Sequence, residues 1–145
     1  MTPRINVITL AVDNLQRSVM FYRDGMGLTT DDTERRELPY GRIAHFHLQA
    51  GLKLALWSRE EVGGERTQQC LPLFALSHTA SSKTEVFILM ARAERAGAHV
   101  VQQASHTYWG GYAGYFRDPD SYLWEVAWLP TNQIAEGQKT VVACE

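Results

Sequence analysis

Glu125 is the side chain in this sequence best placed to do chemistry. It lies in Gly114-Tyr-Phe-Arg-Asp-Pro-Asp-Ser-Tyr-Leu-Trp-Glu-Val-Ala-Trp128, an acid among apolar residues on what reads as the second strand of a hairpin. A carboxylate so placed has four uses: ligand to a divalent cation, proton-transferring base, anchor for a basic group on a bound molecule, or structural acceptor for a wall residue such as Tyr115 or Thr9. His45 and His47 stand two residues apart, so on a strand they project to one side and are candidates to share a displaced divalent metal with Glu125. The run Thr107-Tyr-Trp-Gly-Gly-Tyr-Ala-Gly-Tyr115 packs four aromatics and three glycines into nine residues. Glycine lets a backbone approach a ligand closely, and flat rings stack on planar groups, which makes Trp109, Tyr112 and Tyr115 candidate ligand contacts together with Trp57. The run is no phosphate loop, since it lacks a Gly-Lys-Ser/Thr ending and opens no helix. No Ser-His-Asp arrangement is suggested, and Cys70 has no evident partner base, so covalent catalysis has little support.

These groups need elements to hold them. Ile5 to Val12 is rich in β-branched residues and reads as a strand. Asp13 with Gln16 has the spacing of a capping box, and Leu15, Val19 and Tyr22 form a helical stripe that Gly25-Met-Gly27 ends. Arg42 to Leu48 and Leu52 to Ser58 read as strands joined at Gln49-Ala-Gly51, and polar Arg59 to Gln69, with its Gly63-Gly64 pair, reads as a linker. The order then recurs: a strand at Leu73 to His78, a capping box at Ser82 and Glu85, a helix over Val86 to Ala96 closed by Gly97, and a short strand at His99 to Gln102. The hairpin Tyr112–Arg117/Tyr122–Trp128 turns at Asp118-Pro-Asp-Ser121, where Pro119 presets φ. Ile8-Thr-Leu10 aligns with Phe74-Ala-Leu76 at an offset of 66, and Leu52-Lys-Leu-Ala-Leu56 with Tyr122-Leu-Trp-Glu-Val126 at an offset of 70. The chain therefore reads as two βαβββ repeats within one domain of residues 1–130 (module one about 5–58, linker 59–69, module two about 70–130), followed by a tail at 131–145.

Strand alternation assigns the faces. Ile8, Leu10 and Val12; Leu52, Leu54 and Leu56; Phe74 and Leu76; and Trp124 and Val126 belong under the helices. Val7, Thr9 and Ala11; Lys53, Ala55 and Trp57; Leu73, Ala75 and Ser77; and Leu123, Glu125 and Ala127 form the opposite face, a mix of small and polar residues suited to a ligand site. Thr9, His45 and His47 join the candidate ligand contacts there.

The stretch Ile8-Thr-Leu-Ala-Val-Asp-Asn-Leu-Gln-Arg-Ser-Val-Met-Phe-Tyr22 with Gly27-Leu28 resembles the opening of vicinal oxygen chelate proteins, the superfamily of glyoxalases, bleomycin-resistance proteins and extradiol dioxygenases. Asp118-Pro-Asp-Ser-Tyr-Leu-Trp-Glu125 resembles its closing hairpin, with Ser121 where the turn commonly has glycine. The resemblance covers roughly residues 5 to 130. It implies an α+β fold, two βαβββ modules forming a half-open mixed β-barrel around a ligand cavity with helices outside. It also implies a homodimer. Metal-dependent relatives place ligands on the first and last strand of each module, at positions that carry over here to Val7, Ala55, Leu73 and Glu125. Three of these are apolar, so the resemblance implies a family metal site that has been lost and no cofactor.

Composition bounds the rest. With 145 residues, 45% hydrophobic and 21% charged, the chain suits one soluble domain, and a net charge of −2 gives nucleic acid no basic surface. No apolar run reaches the roughly 18 to 20 residues of a membrane span, no signal-peptide pattern opens the chain, and two cysteines make no disulfide framework, so a cytoplasmic setting is expected. The reading is a metal-independent small-molecule-binding protein that sequesters a planar aromatic or antibiotic-like ligand. The alternative is a lyase, isomerase or dioxygenase-like enzyme, with Glu125 as catalytic residue, acting either with a displaced His45/His47 divalent metal or as a metal-free base.

Overall fold

Apolar side chains from both repeats meet in one core. In the computed structural model, which describes residues 5–30, 37–38, 41–58 and 74–130, the first module runs β1 (Val7–Val12), α1 (Leu15–Met20), β2 (Glu37–Leu38), β3 (Gly41–His47) and β4 (Lys53–Ser58). The second runs β5 (Ala75–Thr79), α2 (Lys83–Ala96), β6 (His99–His106), β7 (Tyr112–Arg117) and β8 (Leu123–Trp128). Each is a βαβββ unit, and the sheets are ordered β1-β4-β3-β2 and β5-β8-β7-β6 without closing into a barrel. Leu10, Val12, Leu54, Leu56 and Val126 are buried in the shared core with Phe21, Tyr22, Val86 and Met90, as alternation required. Phe74 departs from that expectation. It precedes β5, is about half exposed and rests its ring 6.1 Å from that of Tyr122. The linker 59–69, the tail 131–145 and Leu73 lie outside the described residues.

Local chemistry explains the element ends. α2 starts at Ser82, whose side chain accepts from the Glu85 N–H at 3.1 Å, and stops at Gly97, whose φ of 106° is the left-handed geometry that glycine takes without steric cost. The capping box is displaced by one residue, because the Glu85 carboxylate takes the Ser81 N–H at 2.6 Å. α1 is capped by Asn14 rather than Asp13: Asn14 accepts from the Arg17 N–H at 2.9 Å, while the Asp13 N–H goes to Asp120. After Met20 the helix widens into one π-turn over Phe21–Gly25. There Gly25 meets α2 so closely that a Cβ would lie 2.5 Å from that of Ala96. β6 is twice the expected length, reaching His106, because it follows β7 through two register shifts.

Register places the side chains of the open face. β1 pairs with β4 in parallel, Thr9 beside Ala55, and β5 pairs with β8 in parallel, Ser77 beside Glu125. Thr9 and Ser77 are thus equivalent at an offset of 68, two more than the first-strand alignment set. A shift of two leaves every side chain on its expected face, since the period of a strand is two.

Candidate functional site

Two acids leave the β7–β8 hairpin, one in its turn and one in its second strand. Asp118 is buried, and its carboxylate accepts from the Tyr22 hydroxyl and from the N–H groups of Asp120 and Tyr122, each of the latter at 2.9 Å. Trp124 Nε1 completes the cluster by donating to the Tyr22 oxygen at 3.1 Å. Burial raises the Asp118 carboxyl above its ordinary range, partly offset by those donors, and burial beside Asp118 raises the Tyr22 hydroxyl well above its own. Asp120 adds contacts to module one: it accepts from Asp13 N–H, from the Ser18 hydroxyl and from Arg17 at 3.1 Å. The turn therefore bolts the hairpin to α1, and its acids are structural.

Glu125 has a different environment. It is half-buried on the face away from the helices, with Ser77 beside it on β5 and Tyr115 opposite it on β7. Tyr115 donates its hydroxyl to Oε1 at 2.5 Å, and Ser77 donates to Oε2. The Tyr115 hydroxyl is pushed up to about 12, first by burial, then by the hydrogen bond and charge of Glu125, with a smaller contribution from Tyr108. It therefore stays protonated at neutral pH as a permanent donor. A carboxylate offers about four lone-pair directions, so two remain for a ligand. Gln102 pairs with Tyr115 on β6, which makes a continuous polar row Ser77–Glu125–Tyr115–Gln102 across the second sheet.

The corresponding row of the first sheet is Thr9–Ala55–His45, flanked by Val7–Lys53–His47 and Ala11–Trp57–Ile43. Thr9, His45, His47 and Trp57 thus share one sheet face, as expected, but on the other sheet from Glu125. Among the described residues no three His, Cys, Asp or Glu side chains converge to hold a cation. Tyr112 falls on the helix-facing side, paired with Trp128 and edge-on to His106 at 5.3 Å, so it is not beside Glu125. Trp109 lies in the β6–β7 turn, where its indole covers Gly111 so closely that a Cβ there would sit 1.7 Å from the ring. Ser77 and Gln102, which join the polar row of Glu125, are not among the candidates that the sequence singles out. Strand alternation had put Ser77 on the right face, but the alignment offset hid its partnership with Glu125.

The family model of the Glyoxalase/Bleomycin resistance protein/Dioxygenase superfamily matches residues 4–126. The chain belongs to this superfamily. Among solved structures, a glyoxalase-related enzyme from Fulvimarina pelagi is 32% identical over 88% of both chains, with a TM-score of 0.71. Lactoylglutathione lyase from Agrobacterium tumefaciens is 25% identical over 88% of this chain and 96% of that one, with a TM-score of 0.63. A family protein from Nocardioides, 22% identical with a TM-score of 0.72 over 95% of this chain and 91% of that one, supports the fold alone. A comparison with curated proteins found no match. Of the four positions that the resemblance assigns to metal ligands, Val7, Ala55 and Leu73 have apolar side chains and Glu125 is the one carboxylate. The offset of 68 between Thr9 and Ser77 pairs Val7 with Ala75, also apolar, rather than with Leu73. No described helix is long and apolar enough to cross a membrane.

Proposed function

We propose that this glyoxalase-superfamily protein binds a small, planar, basic molecule on its open face without the family metal, and acts by sequestration. The carrying observation is the Glu125 carboxylate, oriented by the hydroxyls of Ser77 and Tyr115 and half-exposed where the other metal positions are apolar. Two directed donors fix the acid while leaving acceptor capacity outward, which matches an amine, amidinium or guanidinium. On the first sheet, Thr9, His45, His47 and Trp57 share the corresponding open face and are the further contacts of this reading, with Trp109 in the β6–β7 turn. A homodimer that covers the open face and a cytoplasmic location complete the proposal; light scattering on the purified protein checks the first. The direct test is titration with benzamidine, a planar amidinium. Measurable binding that Glu125→Gln weakens at least about tenfold is the expected result, and equal affinity of the variant would sink the anchor role.

An enzymatic reading has its own support in the likeness to the Fulvimarina pelagi enzyme and to a lactoylglutathione lyase. In that case Glu125 takes up a substrate proton, and the Tyr115 and Ser77 hydroxyls that donate to it hold the carboxylate in position for the transfer. Formation or consumption of lactoylglutathione by protein stripped with chelator, abolished by Glu125→Gln, would establish this reading over sequestration.

A further inference from the structure

The polar row of the second sheet owes its last member to a bulge. Val100 pairs with Phe116 and Gln102 with Tyr115, so two steps along β6 answer one step along β7, and Val101 is the extra residue. Without it, alternation from Val100 would set Val101 opposite Tyr115 and turn Gln102 under the helices with Val100 and Phe116. The bulge reverses this. Val101 is left half exposed and unpaired in the β6–β7 ladder, and Gln102 stands on the open face beside Tyr115. Gln102 is itself exposed, so its carboxamide is open to a ligand. Re-aiming a side chain beside a binding site is a common use of such a bulge.

We propose that Gln102 is a specificity-determining contact: its carboxamide meets a neutral hydrogen-bonding group at the far end of a planar cation whose charged end Glu125 holds. This rests on the sequestration reading above and narrows its ligand to a molecule polar at both ends. Three observations support it. Glu125, Tyr115 and Gln102 occupy one rung across β8, β7 and β6, so register puts their side chains on one face. Two strand spacings separate Glu125 from Gln102, roughly 10 Å, a span suited to one aromatic ring with substituents at opposite ends. Tyr115, between them, is turned to Glu125 by its hydrogen bond at 2.5 Å, which leaves Gln102 as the next polar group along the row. A carboxamide both donates and accepts, so it pairs with an amide or a hydroxyl, whereas the carboxylate at the other end takes only donors. The two ends of the row thus orient such a ligand one way round.

Two probes separate the far contact from the near one. The amidinium and carboxamide of para-amidinobenzamide stand at opposite ends of one ring, and para-methylbenzamidine has the same charge and outline without the second polar group. Affinities are measured calorimetrically for the intact protein, Gln102→Leu, Gln102→Ala and Glu125→Gln. The intact protein should bind para-amidinobenzamide about three- to tenfold more tightly than para-methylbenzamidine. Both Gln102 variants should abolish that preference without weakening para-methylbenzamidine, and Glu125→Gln should weaken both probes. Equal affinities in the intact protein, a preference that survives in both Gln102 variants, or equal losses of both probes in those variants overturns the role of Gln102 and leaves the anchor standing. Failure of the intact protein to bind either probe overturns the sequestration reading and the Gln102 contact together.

Discussion

Asp118 and Glu125 sit seven residues apart on one hairpin, yet one is locked into the fold and the other is left to act. The Asp118 carboxylate is buried and receives three donors, one from module one and two from its own turn. Glu125 receives two donors, both side-chain hydroxyls of its own sheet, and keeps part of its surface in solvent. The difference shows that residue type does not decide what an acid does. Burial and the number of lone pairs already satisfied do, and both follow from which side of the strand or turn the residue occupies.

The largest expected effect tests the locked member. Asp118→Ala leaves the Tyr22 hydroxyl and two turn N–H groups without their acceptor, and should cost about 3 kcal/mol or more of stability in urea denaturation. A loss below about 1 kcal/mol would erase the contrast with Glu125. The same residue gives a pH dependence. Because burial raises the Asp118 carboxyl above its ordinary 3.8, its contribution is full in acid and is lost as pH rises through the raised value. Asp118→Asn should flatten that part of the stability-versus-pH curve, and an unchanged curve would contradict the assignment.

Next in size comes the free member. Glu125→Gln should alter stability by less than about 1 kcal/mol while weakening a planar amidinium at least about tenfold. A large stability loss would instead make Glu125 a second Asp118. A subtler check follows from the Tyr115 hydroxyl, whose midpoint of about 12 should fall part of the way toward 10 in Glu125→Gln, since burial remains when the charge and the charged hydrogen bond go. The Cζ shift of ¹³C-labelled Tyr115 reads this directly. Stability contributed by that raised hydroxyl is present below pH 10 and lost on rising toward 12. The smallest effect sits in the turn: Ser121 takes a φ of 72°, so Ser121→Gly should stabilise by about 1 kcal/mol or less, seen as a small rise in Tm.

Much of this contrast is legible in the sequence. The helix over Val86 to Ala96, the closing hairpin and the face of Glu125 follow from local signals: a cap, a left-handed stop and a period of two. What escaped depends on pairing between distant segments. β2 is two residues long and exists only through Leu38 and Glu37 meeting β3, and no local pattern announces it. The Ser77–Glu125 partnership needs the parallel register of β5 and β8, which an alignment of short apolar runs cannot settle to within two residues. Composition groups Tyr112 with Tyr115, although they stand three positions apart on the strand, an odd spacing that turns them to opposite faces. Asp13 and Asn14 are both good caps, and only the contact of Asp13 with Asp120 decides between them.

The pairing of Ser77 with Glu125 also sets an arithmetic for insertions and deletions in this chain. Removing one residue ahead of β5, with β8 unmoved, would turn the Ser77 hydroxyl to the helix side and bring a helix-facing neighbour round in its place. Removing two would slide Thr79 into position beside Glu125, and inserting two would bring Ala75 there, keeping the wall intact and changing only its chemistry. Length variation in steps of two is therefore the route by which such a sheet can exchange the partners of its acid while keeping its core.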